Sequence, residues 1–356
     1  MCQAGARVRD ENIPLTSIRG VVALWVVAHH LALRFIDTGL MTPDRFLSPG
    51  GAGVDIFFIL SGLVMAAVHG DVHPGAAGPY LARRVFRIWP LHLAVMAALV
   101  GVALLRLWAG RPSPTENWAR LPEAILLLQP FTGEPLAWNV ASWSLGVEMA
   151  CYLAFPFAAP LLAGLSPAGA AAAALLLGTA EYLVLQEIGP VVTGPGAAAR
   201  GFAGFGFGAA MGFALKGRRL AGFWLNAGQI AAVAAIGAAL WLGRPQLTPM
   251  FAAALIALLF VGRGVAGRAL EAPPLHWAGR ISYSVYLIHL PVIGVAALLA
   301  PPQAVPGPWG LAVWSLAVIA VVLGLSHVSW RLVEEPCRRY GARFAAGLRA
   351  GRPAPA

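Results

Sequence analysis

Apolar residues gather in ten stretches along the chain, at residues 18–36, 54–68, 88–108, 142–162, 168–186, 197–215, 221–242, 247–262, 281–299 and 309–330. An α-helix needs about 20 apolar residues to cross the hydrocarbon core of a bilayer, and most of the stretches reach that length. Those at 54–68 and 247–262 are short, which leaves the count open by one or two. The pattern predicts an all-α, polytopic membrane protein with about ten transmembrane helices. The longest segment between stretches, 109–141, is rich in Pro, Trp and Glu and reads as an ordered loop. No internal repeat is visible, which weakens the inverted-repeat signature of many transporters.

Composition agrees. Of the 356 residues, 59% are hydrophobic and 11% charged, against about 25% charged in soluble domains. Mean hydropathy is +0.73. A water-soluble enzyme is excluded, and so is disorder, which needs low hydrophobicity and high net charge.

The net charge of +10 comes from 25 basic residues against 15 acidic ones. No basic patch interleaved with aromatics points to nucleic acid. Placing the N-terminus inside puts Arg83, Arg84 and Arg87, then Lys216, Arg218 and Arg219, then Arg263, Arg268 and Arg280 in inner segments. The Arg-rich C-terminal segment also falls inside. Only Arg34, Arg45, Arg106, Arg111, Arg120, Arg200 and Arg244 fall outside. That bias predicts both termini cytoplasmic. Cys2, Cys151 and Cys337 are scattered and odd in number, so neither a disulfide framework nor a metal site is expected. No cleavable leader is evident before the first stretch.

Charges inside the stretches are costly and each needs a reason. Arg19 and His30 are eleven residues apart, about three helical turns or about 16 Å, so they share a face of the first helix. The plain alternative is a snorkelling Arg and a hydrogen-bonded core His. The second stretch follows Gly50-Gly51-Ala52-Gly53 and carries Asp55 near its outer end and Ser61 near its middle. Its glycines also suit simple helix packing. Arg84 and Arg87 sit at the inner edge of the third stretch. They serve topology, or they grip phosphate oxygens with their forked donors. Trp143, Ser144 and Glu148 open the fourth stretch; Glu148 orients a His, binds a polar acceptor or pairs a buried Arg. Tyr283 and His289 lie in the ninth, His289 next to Pro291. Together these residues suit an anionic cytoplasmic donor that reaches a buried reactive centre. A transporter or flippase using His30, Glu148 and His289 as a proton relay is the rival reading. A non-catalytic scaffold is the third.

The sequence resembles the acyltransferase 3 family over roughly residues 15–340. The motifs run in order. They are the Arg19…His30 pair, Gly-Val-Asp-x-Phe-Phe-x-x-Ser-Gly ending at Gly62, Arg84-x-x-Arg87-Ile-x-Pro, Ser-Trp-Ser-Leu-x-x-Glu ending at Glu148, Tyr283…His289, and Glu335-Pro336. His92, Met149, Cys151 and Leu63 depart from the usual pattern, which bears on acceptor choice. The resemblance implies a cytoplasmic segment 1–14, a transmembrane acyltransferase domain 15–340 and a basic cytoplasmic tail 341–356. It further implies a bacterial inner-membrane enzyme moving an acyl group, usually acetyl from acetyl-CoA, to a hydroxyl of a glycan or similar extracytoplasmic acceptor, with no metal. Catalytic roles fall to His30, Arg19 and Glu148, with His30 as base or acyl carrier. Arg84 and Arg87 would hold the CoA phosphates. Relatives often carry an extra esterase-like domain, so any such extracytoplasmic partner enzyme would be a separate protein.

Overall fold

A computed structural model describes residues 11–113, 115–305 and 307–350, without the side chains of 349 and 350. Residues 1–10, including Cys2, and 351–356 of the basic tail lie outside it. Among the described residues the chain is all helix, with no strand. The helices are α1 (Ile13–Asp37), α2 (Gly53–His69), α3 (Ala77–Trp108), α4 (Leu121–Ile125), α5 (Gln129–Thr132), α6 (Trp143–Ala163), α7 (Pro167–Glu187) and α8 (Gly194–Ala214). They continue with α9 (Gly222–Trp241), α10 (Thr248–Val261), α11 (Val265–Leu270), α12 (Pro273–Arg280), α13 (Ser282–Leu299), α14 (Gly307–Ser329) and α15 (Glu335–Ala350).

Each of the ten apolar stretches falls on a helix. Eight helical segments are long and apolar enough to cross a membrane, so the protein is a multi-pass membrane protein. Two stretches are not among those eight. The α10 helix has 14 residues, about 21 Å at 1.5 Å per residue. The α8 helix has 21 residues but is diluted by glycine and carries Arg200. The α3 helix starts eleven residues before its apolar stretch, because no break separates the Arg-rich turns from the apolar ones.

Helix starts follow their sequence signals. Asn12 Oδ1 accepts the Leu15 N–H at 3.1 Å and caps α1, and Ser166 Oγ accepts the Gly169 N–H and caps α7. Lipid offers helices no hydrophobic drive to associate, so close approach of small residues replaces it. The α2–α8 contact shows this. A Cβ on Gly62 would sit 1.9 Å from the Phe205 carbonyl, and one on Gly208 would sit 1.9 Å from the Ile59 carbonyl. Likewise α1 meets α12 through Gly20 and Gly279.

Large apolar side chains face outward on α3, α7, α9 and α14, among them Leu105, Leu176, Ile230 and Leu316. Exposed tryptophans mark two levels. Trp108, Trp241 and Trp309 lie at one end of the bundle; Trp224 and Trp277 lie at the other. On α9, Trp224 and Trp241 are about 26 Å apart along the axis, close to a hydrocarbon core bounded by aromatic belts.

Between α3 and α6 the described residues hold one another in place. His92 Nε2 donates to Ala124 O at 3.0 Å, Trp89 Nε1 donates to Ile125 O, and Trp118 packs on Trp138. At the opposite end α15 docks on α3, with the rings of Tyr340 and Phe344 at 5.2 and 5.8 Å from Phe86. That helix runs unbroken through residue 341.

Candidate active site

The α1 helix carries the first two polar groups, and Gly50–Gly53 of the next segment lets the chain close over them. A Cβ on Gly50 would strike His29, and one on Gly53 would strike Val26. His30 Nδ1 lies 2.9 Å from Val26 O and 3.2 Å from His289 Nε2. His289 Nδ1 lies 2.6 Å from Tyr286 O. A carbonyl only accepts, so His289 Nδ1 carries a proton. In the neutral ring His289 Nε2 is then a lone pair. His30 Nδ1 faces two acceptors and carries the proton between them. The remaining nitrogen, His30 Nε2, is left with its lone pair available. His289 is fully buried while His30 is half-buried.

Glu148 belongs to a second cluster. Ser61 Oγ donates to Glu148 Oε1 at 2.5 Å, and Tyr152 OH donates to the same oxygen at 2.6 Å. Tyr152 is one turn on from Glu148, so the pair is a helical neighbour contact. Ser61, Glu148, Arg19, Ser144, Tyr283 and Tyr286 line a cavity of about 40 Å³. Tyr283 OH donates to Ile88 O, and Ser144 Oγ meets Tyr286 OH at 2.7 Å. Phe57 also lines the cavity. Its ring meets Tyr286 edge-on at 5.8 Å, and Tyr286 is 5.8 Å from His289. The aromatic pair thus stands between the cavity and the histidines. No direct hydrogen bond joins Glu148 to His30 or His289.

Below the cavity the basic residues converge. Tyr80, Arg84 and Arg87 share a face of α3. Arg84 lies over the Tyr152 ring at 5.6 Å and 3.5 Å from His69 Nε2. Arg87 is within electrostatic reach of Tyr152, Glu334, Glu148 and Tyr283. Arg19 is within electrostatic reach of Arg87, Glu148 and Glu334. Glu334 ends a π-helical turn at Trp330–Glu334 that joins α14 to α15; such turns recur at functional sites. Glu334 is buried and accepts from Ser284 Oγ at 2.9 Å. The Nε atoms of Arg19 and Arg84 are buried without a hydrogen-bond partner. Orphaned guanidinium donors of this kind fit phosphate oxygens.

Asp55 and Trp143 lie elsewhere. Arg200 Nε and NH2 donate to the two oxygens of Asp55 at 3.1 and 2.9 Å, and Arg200 lies over the Trp143 ring at 5.2 Å. Charge bias alone places Arg200 with the outer segments; it is instead 1% exposed inside α8. Glu181 on α7 is fully buried beside the α8 backbone at Gly204, and neither carboxyl oxygen has a hydrogen-bond partner. Arg200, Glu181, Tyr152, Ser284 and Glu334 all escaped the sequence reading. Arg200 and Glu181 had a usable signal, since each is an ionisable residue inside a span. Tyr152 was visible as the residue four on from Glu148.

Known proteins share this arrangement of sequence. The acyltransferase 3 family model, an acyltransferase domain, matches residues 14–331. The chain is 29% identical to acyltransferase MdmB of Streptomyces mycarofaciens, over 91% of each chain. It is 28% identical to the exopolysaccharide production protein ExoZ of Rhizobium meliloti (strain 1021), over 86% of this chain and 95% of the relative. No solved structure matches. The match across nearly the whole helical bundle, with the Arg19…His30 face and the arginines below it inside the matched region, places this chain in the acyltransferase 3 family: it is a membrane acyltransferase.

Proposed function

We propose that the protein transfers an acyl group, acetyl in the simplest case, from acyl-CoA at the cytoplasmic face to a hydroxyl of a glycan or similar extracytoplasmic or membrane-linked acceptor. Ten spans with both termini inside, in the inner membrane of a bacterium, complete the reading. The observation that carries it is the order of groups along one axis. Orphaned arginine donors come first, then the Ser61–Glu148 cavity, then a histidine pair whose His30 Nε2 holds a free lone pair.

Arg84, Arg87 and Arg19 hold the phosphates of the donor, and its thioester lies toward the cavity. His30 Nε2 takes the proton from the acceptor hydroxyl as the oxygen attacks the thioester carbon. The C–S bond then breaks, and the departing thiolate takes up a proton. His289 fixes the His30 ring and its tautomer. Attack by His30 Nε2 itself, forming an acyl-imidazole that the acceptor hydroxyl then cleaves, uses the same lone pair. Arg19 offers donors to the oxyanion. The name of the exopolysaccharide relative favours a sugar hydroxyl as acceptor.

Mass spectrometry of envelope glycans from cells with and without the gene tests the reading. A difference of one acyl unit on a glycan is expected. Identical glycans, together with solute flux that consumes no acyl-CoA, would establish the transporter reading instead.

A further inference from the structure

A second cavity, of about 700 Å³, opens between α12 and the α14–α15 junction, at the end of the bundle where α1 begins. None of its lining residues belongs to the acyl-transfer cavity. Its chemistry is an excess of donors on an aromatic floor. Arg280, Arg331 and Arg339 line it together with Trp277, His327 and Trp330. Arg280 lies over the Trp330 ring at 4.5 Å, which fixes the guanidinium plane while leaving its edge free to donate.

The histidine adds a donor of defined direction. Trp277 Nε1 donates to His327 Nδ1 at 3.2 Å. His327 Nδ1 is therefore a lone pair, and its Nε2 carries the proton. The His327 ring stacks on Trp330 at 5.8 Å. Trp330 Nε1–H is buried without a hydrogen-bond partner, an omission that folded proteins rarely leave. Trp330 opens the π-helical turn, so the same irregular turn presents Trp330 to this cavity and Glu334 to Ser284.

The acids nearby are already engaged. Glu335 takes Arg339 Nε at 2.9 Å and Arg338 at 3.6 Å. Glu11 takes Thr16 Oγ1 at 2.8 Å and His276 at 3.4 Å. Arg280 and Arg331 have no ion-pair partner among the described residues. Arg280, Arg331 and the His327 imidazole thus line one space whose single carboxylate, Glu335, is already paired with Arg338 and Arg339.

We infer that this cavity binds a phosphate ester whose carbon skeleton lies against Trp277 and Trp330. Two sources carry that chemistry: the headgroup of an anionic phospholipid, or a soluble nucleotide phosphate. Basic pockets between helices at the cytoplasmic level take lipid headgroups, and planar bases stack on tryptophan.

Binding to the full-length protein distinguishes them. In one arm, native mass spectrometry follows retention of phosphatidylglycerol against phosphatidylcholine from mixed-lipid nanodiscs. In the other, calorimetry follows titration with adenosine 3′,5′-bisphosphate. The variants are Arg331→Gln, on an exposed side chain where folding is safe, and Arg280→Gln. Arg219→Gln is the control. Each test variant should weaken the phosphate ligand about tenfold, the loss expected for one charge-assisted hydrogen bond, and the control should not. Loss confined to the first arm identifies a lipid headgroup; loss confined to the second identifies a soluble phosphate. Neither probe binding, or both variants binding like the parent, overturns the inference. Variants that bind like the parent leave the acyl-transfer reading standing, because Arg84 and Arg87 lie outside this cavity.

Discussion

His30 and Asp55 are both ionisable residues in apolar helices, yet their surroundings give them different work. His30 Nδ1 is held by Val26 O and His289, and its other nitrogen is left over. Asp55 spends both oxygens on Arg200. Removing one partner of a buried pair strands the other charge, at a cost of about 3–5 kcal/mol. Asp55→Ala should therefore unfold well below the parent in a thermal melt. Asp55→Leu with Arg200→Met should recover most of the loss, and equal melting of the single and double variants would refute the pairing. The arginines make a contrasting case. Arg84→Ala with Arg87→Ala should raise the KM for acyl-CoA tenfold or more, by removal of charge-assisted contacts, with kcat changed far less. Lowered abundance or altered orientation at an unchanged KM would reduce the pair to topology signals. Helical spacing made the Arg19–His30 face and the Arg84–Arg87 face legible from sequence. The Asp55–Arg200 pair was not, because 145 residues separate partners that only the α2–α8 packing brings together.

Among the helices, α2 and α8 pack through backbone rather than side chain, and this sets where Ser61 points. Gly208 has no room for a methyl group, with the Ile59 carbonyl 1.9 Å from the ideal Cβ. Gly208→Ala should force the helices apart, at a cost of about 1–3 kcal/mol or more. It should lower the folded fraction in fluorescence-detected size-exclusion chromatography. Gly237 on α9 has open space around its Cβ position. Gly237→Ala should keep the parent profile and gain up to about 1 kcal/mol from helix propensity. If both variants behave alike, backbone packing does not hold the site. The positions of the helices were readable from apolar length alone. Their lower ends were not: Tyr80 to Arg87 is helical without being apolar, so hydropathy placed the start of α3 three turns late. The π-helical turn at Trp330–Glu334 had no sequence signal beyond the Glu334-Glu335-Pro336 run.

The molecule as a whole is a bundle with aromatic residues at both ends and polar groups along one internal axis. Basic residues concentrate at the end where α1 begins, the side that the charge bias predicts to be cytoplasmic. Only α8 lies between residues 189 and 217. If α8 crosses, single cysteines at Gly189 and Gly217 lie on opposite faces. A membrane-impermeant maleimide applied to intact spheroplasts should label the first and spare the second until lysis. Labelling of both before lysis would make α8 a re-entrant helix and reduce the number of spans.

The central claim is that His30 Nε2 takes part in acyl transfer. Purified His30→Ala, reconstituted in liposomes and compared with parent protein at matched abundance, should bind acetyl-CoA as the parent does. It should transfer no measurable radiolabelled acetyl group to an extract of envelope glycans. Transfer near the parental rate would contradict the account.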